Sequence, residues 1–263
     1  MKSADNWGWK ARIGMFIVSS EPIPEAEWWA MMPEGVSVHA ARIAASTPWA
    51  SWNDTRSAVE LAPDLARGAE HFASMKLSSV VIGHSSSSVA GGAGWDEAVV
   101  SKLSEQLPSE MKVTTNGLDC QAALKASRVS RPFLVFPAWF GDTILPKGLA
   151  YFEENGFSPS GHMRFDPGRN WRDVPPGRLY PEGMAFDQDV EALYRQIRAT
   201  CPSEADGVLI VGTGFRCVAI LEALEHDLGR PVLSANQASL WHALRLAGIK
   251  GGPDGYGQLF ELG

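Results

Sequence analysis

The sequence predicts an α/β protein built as two similar Rossmann-like lobes whose parallel sheets face each other across a ligand cleft. Three observations carry that expectation. Short apolar, β-branched runs alternate with longer helical patterns along the 263 residues, and parallel strands need such helical crossovers. Apolar runs such as GVLIVG (207–212) suit strands buried on both faces. The second half repeats the first: SVVIGHSSSSVAGGAGWDEAVV and GVLIVGTGFRCVAILEAL each end a strand in a small, polar turn that opens a helix. Open α/β folds bind ligands where such strands end.

In chain order, strands are expected at Arg12–Val18, Val36–Ile43, Val80–Gly83, Lys112–Thr114, Phe133–Phe136, Gly161–Phe165, Val208–Val211 and Pro231–Ser234. Helices are expected at Asp54–Met75, Gly94–Leu107, Asp119–Ala126, Thr143–Asn155, Asp187–Ala199, Phe215–Leu228 and Gln237–Leu246. The segment FDPGRNWRDVPPGRLYPEG (165–183) is rich in Pro, Gly and Arg and reads as a long irregular loop, a common setting for lids and binding loops.

Composition narrows the function. Hydrophobic residues make up 45% and charged residues 20%, a globular balance. With 23 basic against 30 acidic side chains the net charge is −7, and no Lys/Arg run offers a basic face to nucleic acid or an anionic membrane. No uninterrupted apolar stretch reaches the roughly 18 residues of a membrane span. The N-terminal apolar segment reads as a buried strand and not as a secretion signal, so a cytoplasmic location is expected. Cys120, Cys201 and Cys217 are odd in number and widely spaced, which fits neither a disulfide framework nor a zinc ribbon; no metal or cofactor is expected. Ten tryptophans suit core packing or an aromatic wall around an organic ligand.

Four strand-end turns carry candidate chemistry. His84-Ser85-Ser86-Ser87-Ser88 gathers hydroxyls and amides that could hold a carboxylate or an enolate-like oxyanion. His84, at its lip, could serve as acid or base. Gly212-Thr213-Gly214 lets backbone approach a ligand closely and supplies a hydroxyl. The remaining two turns are Ser19-Ser20-Glu21 after the first strand and Pro137-Ala138-Trp139 after FLVF. Each has a structural alternative, the Ser run as a helix cap above all.

These turns, in this order, resemble those of the aspartate/glutamate racemase superfamily, and most nearly its maleate cis-trans isomerase and arylmalonate decarboxylase branches. RIGMFIVSS (12–20) is similar to the R-I-G-M-I-V-P-S start, VVIGHSSSS to the first catalytic turn, DGVLIVGTGFR to the second, and RPVLSANQASLWHALRLAG to the arylmalonate decarboxylase tail. The resemblance implies two lobes related by an approximate twofold axis, residues 1–116 with 232–263 forming one and 117–231 the other. The family's chemistry rests on one or two cysteines, one on each catalytic turn; His84 and Gly212 stand in their places here. A covalent thiolate route and two-base racemisation both lose their groups. Decarboxylation asks for less: donors to hold an enediolate, an apolar pocket and one acid.

The resulting expectation is a cofactor-independent lyase that decarboxylates a small, aryl- or alkyl-substituted carboxylate. His84, Ser85 and Ser86 are its expected catalytic residues, with His84 as acid or base. Ser19, Ser20, Glu21, Trp139, Gly212, Thr213 and Gly214 are its expected substrate contacts. A His84-dependent isomerase or racemase and a non-catalytic carboxylate-binding protein are the alternatives. The expected partner is the small carboxylate itself, with homo-oligomerisation left open.

Overall fold

The computed structural model describes residues 5–262. Its first half runs β1 (Ala11–Val18), α1 (Ile23–Ala30), β2 (Val36–Ile43), β3 (Ala50–Trp52), β4 (Val59–Leu61), α2 (Pro63–Ala73), β5 (Ser79–Ile82), α3 (Ser85–Gly91), α4 (Trp95–Ser104), β6 (Lys112–Thr115) and α5 (Asn116–Ala126). The second half runs β7 (Pro132–Phe136), α6 (Leu145–Glu154), β8 (Gly161–Arg164), α7 (Pro176–Leu179), α8 (Val190–Thr200) and β9 (Gly207–Ile210). A short 3₁₀ turn (Val218–Ile220), α9 (Leu221–Leu228), β10 (Val232–Ser234) and α10 (Ala235–Leu246) complete it.

Two parallel four-stranded sheets result, ordered β2-β1-β5-β6 and β10-β9-β7-β8. Numbered within its own lobe, leaving the β3–β4 hairpin aside, each sheet has the order second, first, third, fourth. This shared order is the structural form of the sequence repeat. Strands β5, β7 and β9 are buried at every residue, whereas the edge strand β8 alternates half-buried and exposed positions. Continuous apolar runs thus mark the central strands, as burial on both faces requires.

Three expectations are corrected. The expected helix Asp54–Met75 begins as the antiparallel β3–β4 hairpin, and only Pro63–Ala73 is helical. Asn53 Oδ1 accepts from the amides of Ser57 and Ala58, which closes the hairpin loop, and Pro63 opens the helix where a missing N–H costs nothing. The expected helix from Phe215 starts only at Leu221, because the carboxylate of Glu27 accepts the amides of Cys217 and Val218. Lastly, 232–263 was expected in the first lobe, yet β10 pairs with β9 in the second sheet. The return begins with α10, where Ser79 Oγ donates to the Ala243 carbonyl at 3.0 Å. Residues 1–4 and 263 of the expected division lie outside the described residues.

Chain passes between the sheets through α5 and α10, which pack against each other. Their starts are near-duplicates. Thr115 caps α5 at φ −124°, ψ 156°, and Ser234 caps α10 at φ −124°, ψ 157°, with Gln237 completing a capping box. Among the described residues no helix is long and apolar enough to cross a membrane.

Candidate active site

The candidate site forms where the sheets' central strands end. Two bracing bonds, one per lobe, fix its main turns. Asn116, first residue of α5, accepts from Ser85 Oγ at 2.6 Å and donates to the Ala235 carbonyl and Ser239 Oγ, both at 2.9 Å. Asn236, in the first turn of α10, donates to the Thr213 carbonyl at 2.8 Å and to Glu27 Oε2 at 2.6 Å. Each crossing helix therefore holds the turn after the third strand of the lobe it leaves.

His84 is buried at the N-terminus of α3 and stacks on Trp49 of the hairpin segment, ring centroids 4.2 Å apart. Its Nδ1 lies 2.8 Å from Ser87 Oγ, which already accepts from the Trp49 amide at 3.0 Å. Among the described residues the Ser87 proton has no acceptor except that Nδ1, an arrangement that suits a neutral ring with its hydrogen on Nε2. Burial pushes the imidazole down to about 3, and the ring is neutral near pH 7. Ser85 is committed to Asn116. Ser86, half-buried, and Thr213, buried, keep their hydroxyls out of both bracing bonds.

In the β1 turn only Glu21 turns inward; Ser19 and Ser20 are exposed. Glu21 spans the lobes: a Cβ at Gly214 would lie 2.9 Å from its Oε1 and 2.8 Å from the Tyr180 ring. Glu21 Oε2 and the Tyr180 hydroxyl are both buried without a partner. Burial with nothing to compensate it pushes the Glu21 carboxyl up to about 7. Tyr180, raised first by burial and then by Glu21, keeps its proton. Half-buried Trp139 meets Tyr180 and Phe215 edge-on at 5.0 and 5.7 Å. The aromatic wall is thus built by the second lobe, while Trp28, Trp49 and Trp95 are core. Gly212 sits at φ +107°, and a Cβ there would come within 3.1 Å of Pro137 Cγ. A cysteine at that position would be strained in this backbone.

Two buried carboxylates clasp the lobes on either flank. Besides Glu27, Asp96 accepts from Ser88 and from Tyr151 of the second lobe, both at 2.7 Å. Cys120 and Cys217 are buried with their thiols pushed up, and Cys201 is half-buried away from the turns. Among the described residues no group of three or more His, Cys, Asp or Glu could hold a metal ion.

Sequence reading brought His84, Glu21, Thr213 and Trp139 forward, and missed Tyr180, Asn116, Asn236 and Glu27. Tyr180 is the lone tyrosine of the 165–183 loop, the one signal available for it. The others are polar residues whose partners lie far away in sequence.

Residues 183–260 match the family model described as arylmalonate decarboxylase. No curated protein sequence matches the chain. Among solved structures, arylmalonate decarboxylase is similar with a TM-score of 0.68 at 21% identity, covering 96% of this chain and 100% of its own. The Nocardia farcinica maleate cis-trans isomerase, solved with a covalently bound succinylcysteine intermediate, gives 0.77 at 22% identity, covering 95% and 98%. The maleate isomerase from Pseudomonas putida S16 gives 0.78 at 16% identity, also covering 95% and 98%. The chain therefore has the two-lobed fold of arylmalonate decarboxylase and the maleate isomerases, and it resembles the former in sequence over residues 183–260.

Proposed function

We propose that the protein is a decarboxylase-type lyase acting on a small substituted carboxylate, such as a 2-aryl- or 2-alkylmalonate, through an enediolate. The observation that carries this reading is the set of uncommitted neutral donors: the His84 Nε2–H, the Ser86 hydroxyl and the Thr213 hydroxyl. In a site shielded from water, each donor aimed at a developing oxyanion lowers the barrier by about 3 kcal/mol. Half-buried Trp139, backed edge-on by the core ring of Phe215, supplies an apolar surface on which a departing carboxylate is poorly solvated, which favours its loss as neutral carbon dioxide. The C–C bond breaks, its electron pair passes into the enediolate, and a proton then closes the product carbon.

The fold alone accommodates an isomerase equally well. The turns favour the lyase, because neither carries a thiolate and Gly212 bears no side chain to act as a second base. The test is carbon dioxide release from a panel of 2-aryl- and 2-alkylmalonates, with maleate alongside. Release from a malonate is expected. Fumarate from maleate, with no carbon dioxide from any panel member, would replace this reading with the isomerase.

A further inference from the structure

We propose that Glu21 is the acid that protonates the product carbon, taking from the β1 turn the part for which neither strand-end turn of β5 or β9 carries a group. This rests on the decarboxylase reading above and deepens it.

The geometry singles Glu21 out. It is the inward member of its turn, buried yet with Oε2 unpartnered. It reaches across the cleft to Gly214, where any side chain would displace it. The hydroxyl it faces, on Tyr180, is likewise buried and unpartnered. Two such groups side by side are costly unless something binds between them. His84 leans the other way, onto Trp49 and Ser87, as a neutral donor.

The surroundings keep Glu21 protonated near neutrality. Tyr180 faces it from the segment after α7 and adds no positive charge. Arg42 on β2 donates to the backbone carbonyl of Glu21, at 3.2 Å, while its guanidinium is paired with Glu25. Arg216, in the second turn, is exposed, and Glu27, six residues beyond Glu21, is committed to Cys217, Val218 and Asn236. Burial raises the carboxyl to about 7, so about half of it carries its proton at neutrality and more below. After carbon dioxide leaves, the carboxyl hydrogen passes to the enediolate carbon. A C–H bond forms, the second product is a monocarboxylate, and Glu21, left ionised, is reprotonated from water.

The test is Glu21→Gln, which keeps shape and burial but has no acidic proton. Wild-type kcat/KM should fall as pH rises through about 7, since the acid form is the active one. Glu21→Gln should lower kcat at least about 100-fold with KM held within about threefold, and should abolish that limb. Loss confined to KM would make Glu21 a recognition group and overturn the proposal, as would a surviving limb or unchanged kcat. Glu21→Asp, acidic but shorter, should recover part of kcat and restore a limb. Wild-type incorporation of solvent deuterium at the α-carbon of a 2-arylacetate, lost in Glu21→Gln, reports proton transfer without decarboxylation. No carbon dioxide from wild type together with that exchange would sink the decarboxylase reading and leave Glu21 as the acid; absence of both would overturn both.

Discussion

In the proposed reaction His84 is a neutral hydrogen-bond donor and Glu21 the proton donor. Replacing His84 by Phe keeps the stack on Trp49 and removes the Nε2 donor together with the Nδ1 partner of Ser87. His84→Phe should cost about 10²–10³ in kcat. The rate limb near pH 7 should stay, because His84 is already neutral far below it; a pH–rate profile checks both. At this level the sequence was partly legible. Position at a strand end brings out His84, Glu21 and Thr213, since open α/β folds bind ligands beyond the carboxyl ends of their strands. Whether a side chain there points inward is decided by packing: Ser19, Ser20 and Glu21 are consecutive, yet only the last is buried. Tyr180 was out of reach because its contact with Glu21 links positions far apart through an irregular loop that no periodicity describes.

The crossing helices show why local signals locate elements well and place their boundaries less well. Central strands announced themselves through unbroken apolar runs, whereas α10, expected from Gln237, begins at Ala235 behind its Ser234 cap. The β3–β4 hairpin did not announce itself, being two three-residue strands held by a side-chain turn at Asn53, with only Ala50 and Val59 buried. Cap strength gives a direct test. Ser234→Ala removes the side-chain acceptor for the Gln237 amide and frees one arm of the capping box. It should lower stability by about 1 kcal/mol, read as a shifted denaturant midpoint at unchanged slope. Asn236 lies in the same first turn and holds Thr213, so a loss of kcat beyond the loss of fold would show the cap also aligns the site.

Taken whole, the protein stores a buried acid between two lobes and is less stable for it. A carboxyl held at about 7 in place of 4.5 binds its proton more tightly folded than unfolded. Stability from this group is therefore complete below pH 4.5 and is lost as pH rises through 7, by about 3 kcal/mol. Glu21→Gln lacks that dependence. Its stability relative to wild type should improve by about that amount between pH 4 and pH 8, measured by denaturant unfolding at both. A constant difference across the range would mean the carboxyl is not held in its acid form.

The two sheets share one strand order, yet their turns are no longer equal. After its third strand the second lobe offers Gly212 where the first offers His84, and after its first strand it offers Trp139 where the first offers Glu21. An enediolate carbon is flat and has two faces. With a single acid fixed on one side and a bare glycine backbone on the other, the hydrogen always arrives from the same direction. In the proposed decarboxylation, a malonate with two different substituents on its central carbon would therefore leave as one enantiomer. Broken internal symmetry in the protein becomes handedness in its product.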